Sequence, residues 1–464
     1  MLTINAHDFY YLAPEIALTV WGLVVLMADF ALLRRQTDKR RQVILGWLSL
    51  AGVAVTLGLM AWFSGLYFST PAQLAAGTFN PDPVILFGTV SGDILTFWMN
   101  LLIVLLLAMV IAMSMAWSFT KLWGEYFAIL FWSGVGMMFL IAAEELLTLF
   151  LTLEMMTLCL YLLTSFETGR RRSVEGGLKY FIYGSVSSAL FLFGLSLIYG
   201  LTGTTRLDAI RTSLFAAGGP LAGGLEGNVV GATAVLLVLV GFGFKISAVP
   251  FHQWAPDAYE GAPAPVTAWI ATGSKVASFV ALMKVLVSAL GPWAQGPDHL
   301  TSPGWVGIVA LLAGVTMTFG NVAALAQRNF KRMLAYSSIA HAGYMLVGVL
   351  AASISLNRGE AAGSVLFYLV IYSFTTVGAF AVAAWLARDT DRDEIDDLNG
   401  LGFRSPGLAV CIALILLSLI GMPPFAGFFG KLYMFMEALR TDEANRVTMI
   451  GLVALGFINS LISA

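Results

Sequence analysis

Charge is what this sequence has least of. Only 11% of its 464 residues are Asp, Glu, Lys or Arg, whereas 59% are hydrophobic. That balance excludes a soluble globule and leaves a polytopic membrane protein in contact with the lipid bilayer. A net charge of −2 offers no basic surface, so nucleic acid is not an expected partner. Cysteine is almost absent: Cys159 and Cys411 lie in apolar runs without ligand spacing. They exclude a disulfide framework and argue against a cysteine-held iron–sulfur cluster. No Gly-rich loop follows a strand pattern, and neither HExxH nor CxxC occurs, so no nucleotide, cofactor or metal site is expected in this chain. The start lacks the cationic lead and cleavage site of a signal peptide, and its first apolar run reads as a retained helix.

Arginine is missing from the apolar runs altogether, yet five lysines occupy them: Lys179, Lys245, Lys275, Lys284 and Lys431. An ionisable side chain at membrane depth costs about 2.5–3.5 kcal/mol on insertion scales, which marks each as a functional candidate. Arginine keeps its charge in almost any surroundings, whereas a desolvated lysine can release a proton near neutral pH. A membrane interior that admits lysine and refuses arginine suits proton transfer.

A crossing needs about 20 apolar residues. Thirteen runs meet that length, from 12–33 to 447–464, so the fold class is all-α. The last run stops without polar flanks, which predicts that the natural chain continues. Odd-numbered connections hold fifteen lysines and arginines and even-numbered ones five. The positive-inside rule then places the N-terminus in the periplasm and the odd connections in the cytoplasm of a bacterial inner membrane. The 66–92 connection, with no lysine or arginine, agrees.

Two runs carry helix breakers at depth. In 229–251, Pro250 follows Lys245 by five residues; in 407–438, Pro423, Pro424 and three glycines surround the approach to Lys431. Proline removes a donor and clashes with the preceding turn, so both helices should be broken, and broken membrane helices commonly mark ion sites. Their spacing predicts an N-terminal three-helix segment (1–124) and two five-helix repeats (125–290 and 304–464). An odd helix number inverts the second repeat relative to the first.

Glu154 is the only carboxylate deep in a run, with apolar residues for two turns on both sides. It must be neutral or paired; Lys245 is the expected partner, and a fixed Glu–Lys strut is the alternative reading. Lys275 stands mid-run among small polar residues that can hold water. Lys284, nine residues on, points to the opposite face about 13 Å away and reads as a snorkelling residue near the outer interface. Lys179 is open between snorkelling and a relay role. His252 and His341 are open between proton relay and helix packing. Asp29 is expected to pair with Arg34, and Glu144 and Glu145 fall at a run boundary.

These residues resemble a known family. FKISAVPFHQWAPDAYEGAPAPVTAWIATGSK (244–275) is similar to a signature of the antiporter-like membrane subunits of respiratory complex I. LTLFLTLEMMTLCLYLL (147–163), EGGLKYFIYGSVSSALFLFG (175–194), RNFKRMLAYSSIAHAGYMLVG (328–348) and GMPPFAGFFGKLYMF (421–435) extend the resemblance over most of the chain. The opening LAPEIAL, and lysine rather than glutamate at 431, resemble the N branch of that family more than the M branch. The resemblance implies fourteen helices, one beyond those visible. It also implies a relay in which Glu154 is the glutamate of the fifth helix, Lys245 the lysine of the broken seventh, Lys275 that of the eighth and Lys431 that of the broken twelfth. NADH, FMN, iron–sulfur clusters and quinone would then reside in partner subunits, the neighbours including a paralogous antiporter-like subunit. The function implied is proton translocation within an NADH:quinone oxidoreductase, with no redox centre in this chain. The rival readings are a cation/proton antiporter subunit of the Mrp type and a structural spacer that moves no protons.

The orientation is testable with one cysteine. An Arg171→Cys variant should react with an impermeant thiol reagent only from the cytoplasmic side; reaction from the periplasm would invert the topology.

Overall fold

In hydrocarbon an unpaired backbone group finds no water, so an apolar run folds into a helix that satisfies its own N–H and C=O groups. The computed structural model describes residues 6–67, 84–215, 228–294, 304–386, 394–441 and 443–463. Within them, twelve helices are long and apolar enough to cross a membrane. Segments 68–83 and 387–393, the latter with Arg388 and Arg392 of the orientation argument, lie outside the described residues.

The N-terminal unit consists of α1 (Ala13–Ala28, prolonged by a π turn over Asp29–Leu33), α2 (Asp38–Tyr67) and α3 (Ile94–Ala116). The expected first repeat opens with α4 (Trp123–Ala142), α5 (Leu146–Thr164) and α6 (Arg171–Thr202). Short polar side chains start several helices: Asp93 accepts from the Thr96 N–H at 2.7 Å, and Asn329 from that of Arg332 at 3.0 Å.

The 229–251 run is broken as expected. Helix α7 (Val229–Ile246) ends at Ser247, which takes a left-handed φ of 62°, and the chain resumes as α8 (Trp254–Gly261). A second interruption was not foreseen. The 264–290 run, expected as one helix, divides at Thr272 into α9 (Ala264–Ala271) and α10 (Gly273–Met283), followed by a π turn over Lys284–Ala289. The poor helix formers Thr272 and Gly273 stand side by side there, and a Cβ at 273 would lie 2.9 Å from the Trp269 ring.

The expected second repeat runs α11 (Trp305–Leu325), α12 (Phe330–Ile354), α13 (Arg358–Leu386), a broken pair α14 (Pro406–Ile420) and α15 (Ala426–Leu439), and α16 (Glu443–Ile462). The described residues thus hold twelve helices of membrane-crossing length and the broken pair α14–α15, one element for each of the thirteen runs read from the sequence. Gly421 closes α14 at φ 86°, a conformation that disfavours any side chain. Helices α11 and α12 pack backbone to backbone: a Cβ on Gly320 would meet Ala340 N at 2.5 Å, and one on Gly343 would meet Met317 N at 2.5 Å. Helices α9, α10 and α12 are almost wholly buried, α8 packs on α12, and α9 on α13. The seam between segments 125–290 and 304–464 is therefore the protein interior.

Two charged residues depart from expectation. Asp29 pairs with Arg41 (2.6 Å), not Arg34, and also accepts from the Gly124 N–H. Lys284 does not snorkel. Its ammonium pairs with Glu144 at 2.8 Å and donates to Ser91 Oγ at 3.1 Å in the small hairpin β1 (Val84–Ile85) and β2 (Val90–Ser91). The π turn begins at this residue, and the pair ties it to the α4–α5 corner. Lys284→Met would leave the Glu144 carboxylate without its cation, at a cost of about 1–3 kcal/mol. It should lower the melting temperature of the purified protein; a melting temperature equal to the parent's would mean that the pair does not fasten this corner.

Candidate functional site

Both breaks free backbone carbonyls, and the sequence supplies a donor to each. At the first, the Trp254 indole N–H donates to Phe244 O at 2.8 Å, and the Val249 N–H crosses the seam to Thr316 Oγ1 at 3.0 Å. At the second, the Lys431 ammonium donates to Ile420 O at 2.8 Å, a cation at a helix C-terminus. Lys431 also lies 4.5 Å from the Tyr344 ring centroid and 3.4 Å from Ser460 Oγ.

Lys245 is 2% exposed, Lys275 1% and Lys431 4%, and none of the three makes an ion pair among the described residues. Their ammonium groups rest on neutral oxygens. Lys245 donates to Thr157 Oγ1 at 2.6 Å and to Tyr180 OH at 3.2 Å. Lys275 donates to the Ser338 carbonyl, with the Tyr372 ring 5.8 Å away. The expected direct pair of Glu154 with Lys245 is absent. Glu154 accepts from the Ser188 hydroxyl of α6, and Lys245 docks on Thr157, one turn further along α5. The two charges face each other across a helical turn rather than in contact.

A string of hydroxyls and rings joins the three lysines. Tyr180, which holds Lys245, stacks on Trp254 at 4.0 Å between centroids, and Trp254 meets Tyr259 edge-on. Tyr259 OH lies 3.3 Å from Ser338 Oγ, which also accepts from Tyr372 OH at 2.8 Å. The Ser338 carbonyl takes Lys275. The His341 ring lies 5.2 Å from that of Tyr372, and its Nδ1 is 2.6 Å from Tyr368 OH. Tyr344, beside His341, carries Lys431 on its face. A cavity of about 350 Å³ opens next to Lys431, lined by His341, Tyr344, Asn321, Ser337 and Gln327.

The structure thus brings together Lys245, Lys275, His341 and Lys431, with Glu154 one turn away. His252 stands apart, edge-on to Phe319 at 4.7 Å. Lys179 lies outside the lysine string. It pairs with Glu175 and Asp257, each at 2.8 Å, and Asp257 also holds Arg332 at 2.6 Å. Glu260 bonds Arg332 at 3.1 Å and Arg172 at 3.2 Å, which fastens α8 to α6 and α12. Burial alone would raise the Asp257 carboxyl, but the hydrogen bonds from Lys179 and Arg332 outweigh it and hold it below its ordinary value.

Sequence reasoning missed Tyr180, Tyr259, Ser338, Tyr368 and Tyr372, because aromatics at helical spacing look like core. It also counted Lys331 as a loop residue. That side chain is 1% exposed and donates to Ala262 O at 3.2 Å, capping the freed end of α8.

Residues 143–462 match the protein family described as NADH:quinone oxidoreductase/Mrp antiporter, TM. A protein of Acidobacterium capsulatum named NADH-quinone oxidoreductase subunit N 2 is 39% identical over 453 residues, covering 97% of this chain and 86% of that one. Among solved structures, a chain of respiratory complex I from Thermus thermophilus with bound aureothin superposes with a TM-score of 0.73 at 30% identity, over 97% of this chain and 87% of its own. A chain of the Mrp complex from Dietzia sp. gives a TM-score of 0.73 at 21% identity, over 97% and 78%, a likeness of fold alone.

The ion cluster at α8 makes its own prediction. Asp257→Asn strips two cations of one carboxylate and should cost about 1–2 kcal/mol of stability, since these half-exposed pairs contribute about 1 kcal/mol or less each. A double-mutant cycle with Arg332→Gln should show coupling in thermal melts; strictly additive losses would mean the contact does not fasten α8.

Proposed function

We propose a working sequence for a chain that belongs to the NADH:quinone oxidoreductase/Mrp antiporter family of membrane subunits. The chain is a proton-translocating, antiporter-like membrane subunit of an NADH:quinone oxidoreductase. The Mrp reading has less support, because that likeness is closer in fold than in sequence. Residues 125–290 and 304–464 act as two inverted repeats behind the three-helix segment 1–124, with the N-terminus in the periplasm.

The observation that carries the mechanism is the buried string from Lys245 through Lys275 to Lys431, three lysines without a carboxylate in contact among the described residues. An ammonium held only by hydroxyls, carbonyls and ring faces is stabilised too weakly to be trapped, so its proton can pass on through water and hydroxyl groups. Glu154 sets the hold of Lys245 on its proton from one turn away. Glu154 lies on a face of α5 where Leu147, Leu151, Leu158 and Leu162 are exposed, a surface fit for a neighbouring membrane subunit. A change of charge or conformation there weakens the field at Lys245, and the proton moves to Lys275, then to Lys431, and out, with His341 between the last two. Moving one charge against 100 mV takes about 2.3 kcal/mol. That energy comes from redox chemistry of NADH, flavin, iron–sulfur clusters and quinone in partner subunits, not from a redox centre in this chain.

In assembled membranes, Glu154→Ala and Lys245→Ala should both lose NADH-driven proton translocation. Ser338→Ala, which removes the hydroxyl between Tyr259 and Tyr372 but keeps the carbonyl under Lys275, should slow it about tenfold, or ~1.4 kcal/mol of added barrier. Variants that assemble and translocate at the parental stoichiometry would make the chain a spacer.

A further inference from the structure

Glu15 belongs to none of the groups above. It stands in the first turn of α1 with 4% of its surface exposed, and its Oε1 accepts a hydrogen bond at 2.9 Å from Nδ2 of Asn100 in α3, itself 4% exposed. The other polar atoms of these two groups, Glu15 Oε2 and Asn100 Oδ1, are buried without a hydrogen-bond partner. No cation pairs with Glu15 among the described residues. Arg41 of the same three-helix unit is engaged by Asp29, fourteen residues and about 21 Å along the helix from Glu15.

A carboxylate does not fit this setting. It would bury a full charge against one neutral donor, at a cost of several kcal/mol, and would leave Asn100 Oδ1 unsatisfied. Turning the amide over gives no relief, because Oδ1 would then face a carboxylate oxygen, acceptor against acceptor. One proton resolves both orphans, since a carboxylic acid offers one O–H donor and one carbonyl acceptor. With Oε2–H donating to Oδ1 and Nδ2–H donating to Oε1, the two side chains close a planar ring of two hydrogen bonds.

We propose that Glu15 is a neutral carboxylic acid, a proton-binding site separate from the lysine string, which fastens α1 to α3 through a two-bond ring with Asn100. Helix α3 packs against α9, α10 and α13, so the ring seats the first helix on the one that touches both repeats. Its proton is structural and takes no part in translocation.

The experiment uses the assembled enzyme in lipid. The infrared spectrum of the parent should contain a protonated-carboxyl C=O band that shifts in D2O and disappears in Glu15→Gln. The glutamine amide can donate to Oδ1 and accept from Nδ2, so Glu15→Gln should keep the parental melting temperature and proton translocation. Glu15→Ala and Asn100→Ala, which open the ring, should melt lower. A parent spectrum without a band assignable to Glu15, a Gln variant that melts like the Ala variants, or Ala variants that melt like the parent would overturn the proposal.

Discussion

Everything in this fold answers one constraint: three ammonium groups sit in a medium that stabilises charge poorly, and among the described residues no carboxylate touches any of them. An ion pair would hold each proton firmly and end its mobility. Oxygens without charge hold it loosely. Thr157 and Tyr180 under Lys245, the Ser338 carbonyl under Lys275 and the Ile420 carbonyl under Lys431 form a series of neutral seats. Where this protein wants charge fixed, it uses contact pairs instead, as in Lys284–Glu144 and the Lys179–Asp257–Arg332 cluster. The two uses of charge are separated by residue contact, and that separation is what the proposed relay rests on.

The broken helices supply what such seats require. An intact helix has no spare carbonyls along its length, whereas a break exposes the last turn. Ile420 O takes Lys431 for that reason, while Phe244 O is taken by Trp254 and leaves Lys245 to the hydroxyls of neighbouring helices. The division at Thr272 lets the eighth crossing bend so that Lys275 reaches α12 across the seam. Lys275 with its acceptor Ser338, like Tyr259 with Ser338, links segment 125–290 to segment 304–464.

Much of this was legible in the sequence, and the rest was hidden for physical reasons. Crossings follow from apolar length, and two of the three interruptions from proline and glycine. The third rests on Thr272 and Gly273, a weak signal inside an apolar run. Lysine at depth marked Lys245, Lys275 and Lys431 correctly as buried, but the same rule misplaced Lys284, whose partner Glu144 is 140 residues away. It also overlooked Lys331, which stands beside Arg332 and so looked like part of a cytoplasmic loop. The expected Glu154–Lys245 contact failed by one helical turn, a difference that no spacing within either helix can reveal. Tyrosines escaped because a buried ring needs no function, and only contacts between helices show that their hydroxyls line up. Glu15, at the head of the first run, was not singled out, because its partner Asn100 is 85 residues away.

Arginine at position 245 separates a proton carrier from a fixed positive charge. It would preserve attraction to Glu154 but does not give up its proton in this range. The measurement is the number of protons translocated per NADH oxidised by the assembled enzyme carrying Lys245→Arg, with assembly verified in the same membranes. The account predicts that translocation is lost although the subunit assembles; parental stoichiometry in the arginine variant would contradict it.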